Sequence, residues 1–197
     1  MNRSQTSTVA TATKWGLILG LALPMGLPAT AAPEVCVLAP HITATPTTAP
    51  PTAQIPLSRP TLFLRESLAE IRLERGETLL WSASTPLASP LEGPVPWPLA
   101  PLQPDQTLTL RLRPHGAEPG QVATIRLQAA PRSRLDAGDS LLRSLLAGPP
   151  TAWRPAIEGL LARGDRPLAT ALLFASEGPN EPALNALRLE AVRTSCR

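Results

Sequence analysis

Near Pro131 the chain changes rhythm, and that change limits its architecture more than any other feature. In Thr107-Leu108-Thr109-Leu110-Arg111-Leu112-Arg113 apolar and polar residues alternate strictly, and Ala123-Thr124-Ile125-Arg126-Leu127-Gln128-Ala129 repeats the pattern. A period of two sends one face of an extended segment into a core and the other into water. After Pro131 the apolar residues instead recur along one side of a cylinder. Leu141, Leu142, Leu145 and Leu146 form one stripe; Trp153, Ile157, Leu160 and Leu161 a second; Leu168, Ala171, Leu172 and Ala175 a third; Leu184, Leu187 and Ala191 a fourth. The pattern predicts an α+β fold: a small antiparallel β-sandwich, Ig-like, over residues 61–130, then an α-helical region over 131–197 that ends in a helical hairpin.

Within the β part, Ala69, Ile71 and Leu73 alternate with Glu70, Arg72 and Glu74. Arg75-Gly76-Glu77 then turns the chain into Thr78-Leu79-Leu80-Trp81-Ser82, a hairpin. Thr61 to Arg65 adds an earlier strand. The stretch Thr85 to Pro104 holds seven prolines and reads as a crossing loop, because proline cannot donate to a ladder. Residues 32–60 form a Pro/Thr/Ala-rich segment, APHITATPTTAPPTAQIPLSRP from position 39, in which the fixed φ of proline favours an extended linker. His41 falls in it without a second metal ligand nearby. In the helical part Asp139 is expected as a cap, Gly164-Asp165 separates the second and third helices, and Gly178-Pro179-Asn180 precedes the last. The final pair, Arg166 to Glu177 and Glu181 to Arg193, is an expected αα-hairpin.

Residues 1–31 read as a signal peptide. They hold Arg3 and Lys14, no acid, a nine-residue apolar run from Trp15 to Leu23, and the small-residue site Ala29-Thr30-Ala31. A bilayer span needs about 20 residues, so the leader engages a membrane only in transit and the mature chain is expected outside the cytoplasm, periplasmic or secreted. Removing Arg3 and Lys14 from the 18 basic side chains leaves 16, all Arg, against 15 acids. These arginines are spread singly and without interleaved aromatics, which argues against nucleic acid as a partner. Cys36 and Cys196 bracket the mature chain. Export permits them to pair, free thiols or a bridge to another protein being the alternatives.

The order of leader, β part with Leu79-Leu80-Trp81, Pro-rich loop from Trp97-Pro98-Leu99 to Leu102-Gln103-Pro104, and tail from Ala171 to Leu187 resembles exported bacterial proteins of a domain-of-unknown-function type. The tail also resembles one tetratricopeptide hairpin, with Ala175, Gly178, Ala183 and Leu187 at small and apolar packing positions. That resemblance implies a protein-interaction role and transfers no catalytic residue. Gly138-Asp139-Ser140-Leu141 is similar to the tetrapeptide of GDSL esterases and lipases and would make Ser140 a nucleophile, but that family needs a late Asp-x-x-His pair and no His follows His115. His115 reads as a turn residue. Arg163-Gly164-Asp165 spells an adhesion tripeptide, but a glycine that ends one helix and an aspartate that caps the next account for it. Glu70 with Glu74, or Asp136 with Asp139, could supply an acid/base pair, although the first pair stands on a solvent register. No phosphate-cradling glycine loop, zinc spacing or dinucleotide fingerprint occurs, so no cofactor or metal is expected. The expected role is a non-enzymatic, exported module that meets a protein or cell-envelope partner. The alternative is a small secreted hydrolase using Ser140 or a carboxylate pair.

Overall fold

The alternating segments become strands because their apolar members reach one shared core. In the computed structural model, residues 35–43, 49–85 and 91–195 are described, all within one compact unit covering 32–197. The leader, its cleavage site and Cys196 lie outside the described residues. The described strands, in chain order, are β1 (Val37–Ala39), β2 (Ile42–Thr43), β3 (Thr52–Ile55), β4 (Leu62–Arg75), β5 (Thr78–Ser84), β6 (Leu91–Val95), β7 (Thr107–Pro114) and β8 (Ala123–Ala129). The described helices are α1 (Arg132–Ala147), α2 (Trp153–Ala162), α3 (Arg166–Leu173) and α4 (Pro182–Ser195), with a 3-10 turn at Pro150–Ala152 before α2. The protein is thus mixed α+β, with a sheet body and C-terminal helices.

All eight described strands belong to one hydrogen-bonded sheet of order β1-β4-β7-β8-β3-β2, with β5 and β6 also paired to β4. The pairs are antiparallel except β3 with β8. At the two ends of the order β1 and β2 come together, so the sheet curls until it is nearly closed. Its interior is filled by Leu62, Leu64, Ile71, Leu73, Leu110 and Leu127 among others, each at most 2% exposed. Gly76, at φ +58°, makes the β4–β5 turn in a conformation that side chains with a Cβ rarely adopt.

Two parts of the sequence reading need correction. The segment expected as an extended linker carries β1, β2 and β3, because Ala53 and Ile55 enter the core while Thr52 and Gln54 alternate outward. Its described prolines, Pro40, Pro50, Pro51, Pro56 and Pro60, flank these strands instead of interrupting them. The loop expected over 85–104 contains β6, where Pro94 sits opposite Phe63 on a strand that, among the described residues, pairs with β4 alone.

The helices pack over a second core, in which Leu38, Ala39, Leu57 and half-buried Phe63 from the β part meet Trp153, Ile157, Leu172 and Phe174. The rings of Phe63 and Phe174 lie 4.5 Å apart, centroid to centroid. Thr61 Oγ1 donates to Ser176 Oγ and accepts from the Ser176 backbone N–H, at 3.2 and 3.0 Å, tying the start of β4 to the segment after α3. Asp139 does not cap α1, which starts seven residues earlier after Pro131. It sits inside the helix and accepts the Ser58 backbone N–H at 2.9 Å. Gly138 before it is buried against the same segment; a Cβ there would stand 2.2 Å from the Pro56 carbonyl oxygen.

Candidate functional site

Past the irregularity that follows Leu68, β4 directs Ile71 and Leu73 inward and turns Glu70, Arg72 and Glu74 toward the outer face. In β7, Leu108, Leu110 and Leu112 point in and Thr109, Arg111 and Arg113 point out. In β8, Thr124 and Arg126 lie on the same outer face. The register brings Glu70 opposite Arg113, Arg72 opposite Arg111, and Glu74 opposite Thr109. Thr109 in turn faces Arg126 on β8. Three separate solvent-facing alternations therefore combine into one grid of four arginines and two glutamates.

Arg72 directly across from Arg111 is a like-charge pair and by itself unfavourable. The glutamates offset it. Glu70 accepts hydrogen bonds from Arg72 at 2.7 Å and Arg113 at 3.4 Å, and Glu74 accepts from Arg111 at 2.8 Å. The hydrogen bond from Arg72 holds the Glu70 pKa below its ordinary value, with partial burial opposing it and Arg113 reinforcing it. The same contact raises Arg72 above its ordinary value. Exposure decides which charge meets solvent: the Glu70 and Glu74 side chains are 17% and 14% exposed, whereas Arg72 and Arg111 are 47% and 46%. The carboxylates lie beneath and the guanidinium groups above them.

A guanidinium carries five N–H donors. Arg111 and Arg113 each engage a glutamate through Nε. The turn between β7 and β8 walls one side of this face. It is held by the Gln121 N–H donating to the Glu118 carbonyl at 2.9 Å and the Glu118 N–H donating to Gln121 Oε1 at 3.2 Å. Glu70, Arg72, Arg111 and Arg113 on the sheet, with Pro119, Gly120 and Val122 on the turn, enclose an open cavity of about 280 Å³.

The residues singled out from sequence fall elsewhere. Ser140 is exposed on α1 and its side chain hydrogen-bonds to no side chain among the described residues. His115 is exposed in the β7–β8 turn, where its backbone N–H donates to the Ser67 carbonyl at 2.9 Å. Asp136 is exposed, while Asp139 is engaged by Ser58. Of the adhesion-like tripeptide, Gly164 has φ +76° and Asp165 caps α3, accepting the Leu168 N–H at 3.3 Å and pairing with Arg134; its side chain is 15% exposed. His41 is half-buried near Arg166 instead of lying in an open linker. Cys36 directly precedes β1 and is not a free thiol. Glu70 and Glu74, read as plain solvated surface, belong to the grid. The alternation announced that each strand had a wet face, but only the register, between strands some 40 residues apart, shows that the charges share one. No family model, curated protein or solved structure matches this chain.

Proposed function

We propose that this chain is an exported, non-enzymatic interaction module whose outer sheet face receives a negatively charged component of the cell envelope. The observation that carries the reading is the layering of that face, with exposed guanidinium groups over covered carboxylates. Charge of one sign presented on a rigid sheet attracts the opposite sign and orients it before contact. The leader-like first 31 residues support export, and the α3–α4 pair keeps the tetratricopeptide-like reading of the tail as a second, packing role. For the sheet itself, the approach of β1 to β2 favours a barrel-like closure over an Ig-like two-sheet sandwich. The hydrolase alternative gains no support from Ser140, which stands on an exposed helix face.

Photo-crosslinking in the native envelope tests this. A crosslinkable residue placed at Thr109 or Gln128, on the outer face, is expected to give discrete adducts whose yield falls as salt rises. One placed at Leu161, exposed on α2, is expected to give none. Adducts from position 161 alone, or adducts indifferent to salt, contradict the reading.

A further inference from the structure

We infer that the cavity between the sheet face and the β7–β8 turn binds one tetrahedral, doubly charged oxyanion, a phosphate or sulfate group, held by Arg72, Arg111 and Arg113. This deepens the preceding proposal and rests on it. Size comes first. At about 280 Å³ the cavity lies just below the roughly 300 Å³ at which sites for drug-sized ligands begin, so it fits a single head group, and because it is open that group can be carried on a larger molecule that extends out of it.

Charge comes next. Three guanidinium groups line the cavity over two carboxylates, Glu70 at its edge and Glu74 paired to Arg111, and Arg126 stands beside them across Thr109 on the same face. Over the whole grid, four arginines against two glutamates leave an excess of two positive charges, which matches a dianion. A monovalent carboxylate would leave one of those charges unneutralised.

Donor geometry points the same way. With Nε of Arg111 and of Arg113 donating to glutamates at 2.8 and 3.4 Å, both guanidinium groups are oriented over the outer face toward a ligand. Forked donors pre-oriented in this way favour oxyanions with several acceptor oxygens, and less ordering is needed on binding than for free arginines. The glutamates thus act as positioning residues for the arginines. The turn is itself internally hydrogen-bonded, so the wall is in place before the ligand arrives.

Such a group has two sources, free inorganic anion or a monoester carried on a larger envelope molecule. Calorimetric titration of the full chain at constant ionic strength, with chloride as the background salt, distinguishes them. Inorganic phosphate and sulfate are expected to bind at one saturable site, and acetate much more weakly. Phenyl phosphate binding at least as well as inorganic phosphate identifies an ester as the source; exclusion of phenyl phosphate identifies the free anion. Arg111→Gln is expected to weaken phosphate binding by about tenfold or more. Arg111→Lys, which keeps the charge beside Glu74 but loses the fork, should restore only part of it. Arg132→Gln, on α1, should bind as the unaltered chain does. Phosphate and sulfate binding no better than chloride, or Arg111→Gln and Arg113→Gln both titrating like the unaltered chain, overturns the inference. Salt-sensitive crosslinks from Thr109 that persist alongside a failed titration reject the oxyanion but leave the interaction face standing. A successful titration without such crosslinks does the reverse.

Discussion

At the scale of single residues, two glycines in helices show how local contact sets the sign of one substitution. Alanine is favoured over glycine in a helix interior by about 1 kcal/mol. In α2, a Cβ at Gly159 would meet only the flexible end of Arg163, at 3.4 Å, so Gly159→Ala should stabilise by up to about 1 kcal/mol. In α1, a Cβ at Gly138 would collide with a backbone carbonyl at 2.2 Å, so Gly138→Ala should destabilise by about 1–3 kcal/mol despite the same propensity gain. Urea midpoints of the two variants, moving in opposite directions, check this. The tetrapeptide that resembles an esterase signature is thereby explained as packing: Gly138 permits contact and Asp139 holds the Ser58 N–H. Two titrating side chains predict how stability responds to acid. Burial, and secondarily Arg166, lowers the His41 pKa below its ordinary 6.5, so the unfolded chain takes up protons first and stability declines as pH falls from about 6.5 toward the folded value. Glu70, also lowered, contributes stability above its ordinary 4.5 that is lost as pH falls further through its folded value. Urea midpoints measured from pH 8 downward should therefore fall in two stages. His41→Gln should remove the upper stage, and a midpoint that stays flat through pH 6.5 in the unaltered chain contradicts the assignment.

At the scale of elements, the segment before β4 is part of the sheet, and its removal has a clear consequence. Deleting residues 49–58 takes away β3, leaves β8 without its parallel partner and strips Leu57 from the helical core. The product is expected to lose its cooperative unfolding transition, read by circular dichroism on heating; an intact transition would mean that the segment is a tether after all. Strands β7 and β8 were legible in the sequence because each repeats a full alternating pattern over seven residues. In β3 the same signal, Thr52-Ala53-Gln54-Ile55, lasts only four residues between prolines, and composition outweighed it. The four helical stripes marked four helices, although Leu146 and Leu161, assigned to those stripes, are 48% and 43% exposed. The start of α1 was missed because the buried position between Leu135 and the Leu141 stripe is Gly138, which contributes contact without an apolar side chain. For the arginine face the residues were visible and their meeting was not, since cross-strand register is a property of the folded sheet.

At the scale of the whole molecule, the first and last described segments are drawn together. Cys36 leads into β1, α4 packs on β1, and Ala191 and Val192 near the end of α4 join the same core as Cys36. This supports a bridge from Cys36 to Cys196; chain entropy for so long a loop gives about 5 kcal/mol, and measured bridges more often about 2–4 kcal/mol. Cys36→Ser should lower the unfolding free energy by about that amount, and thiol reagents should label neither sulfur of the native, unreduced chain; full labelling of both excludes the bridge. The two cores divide labour. The helices and Leu57 pack against β1 and the start of β4, and the outward face of β4, β7 and β8 carries charge. Exposed ion pairs contribute little to stability, about 0–1 kcal/mol each, so that face can be altered without unfolding the protein. The most direct measurement is therefore the paired behaviour of Arg111→Gln/Arg113→Gln with a crosslinker at Thr109 in the native envelope. The account predicts an unfolding midpoint close to that of the unaltered chain together with loss of the adducts; adducts retained at full yield on a folded double variant would contradict it.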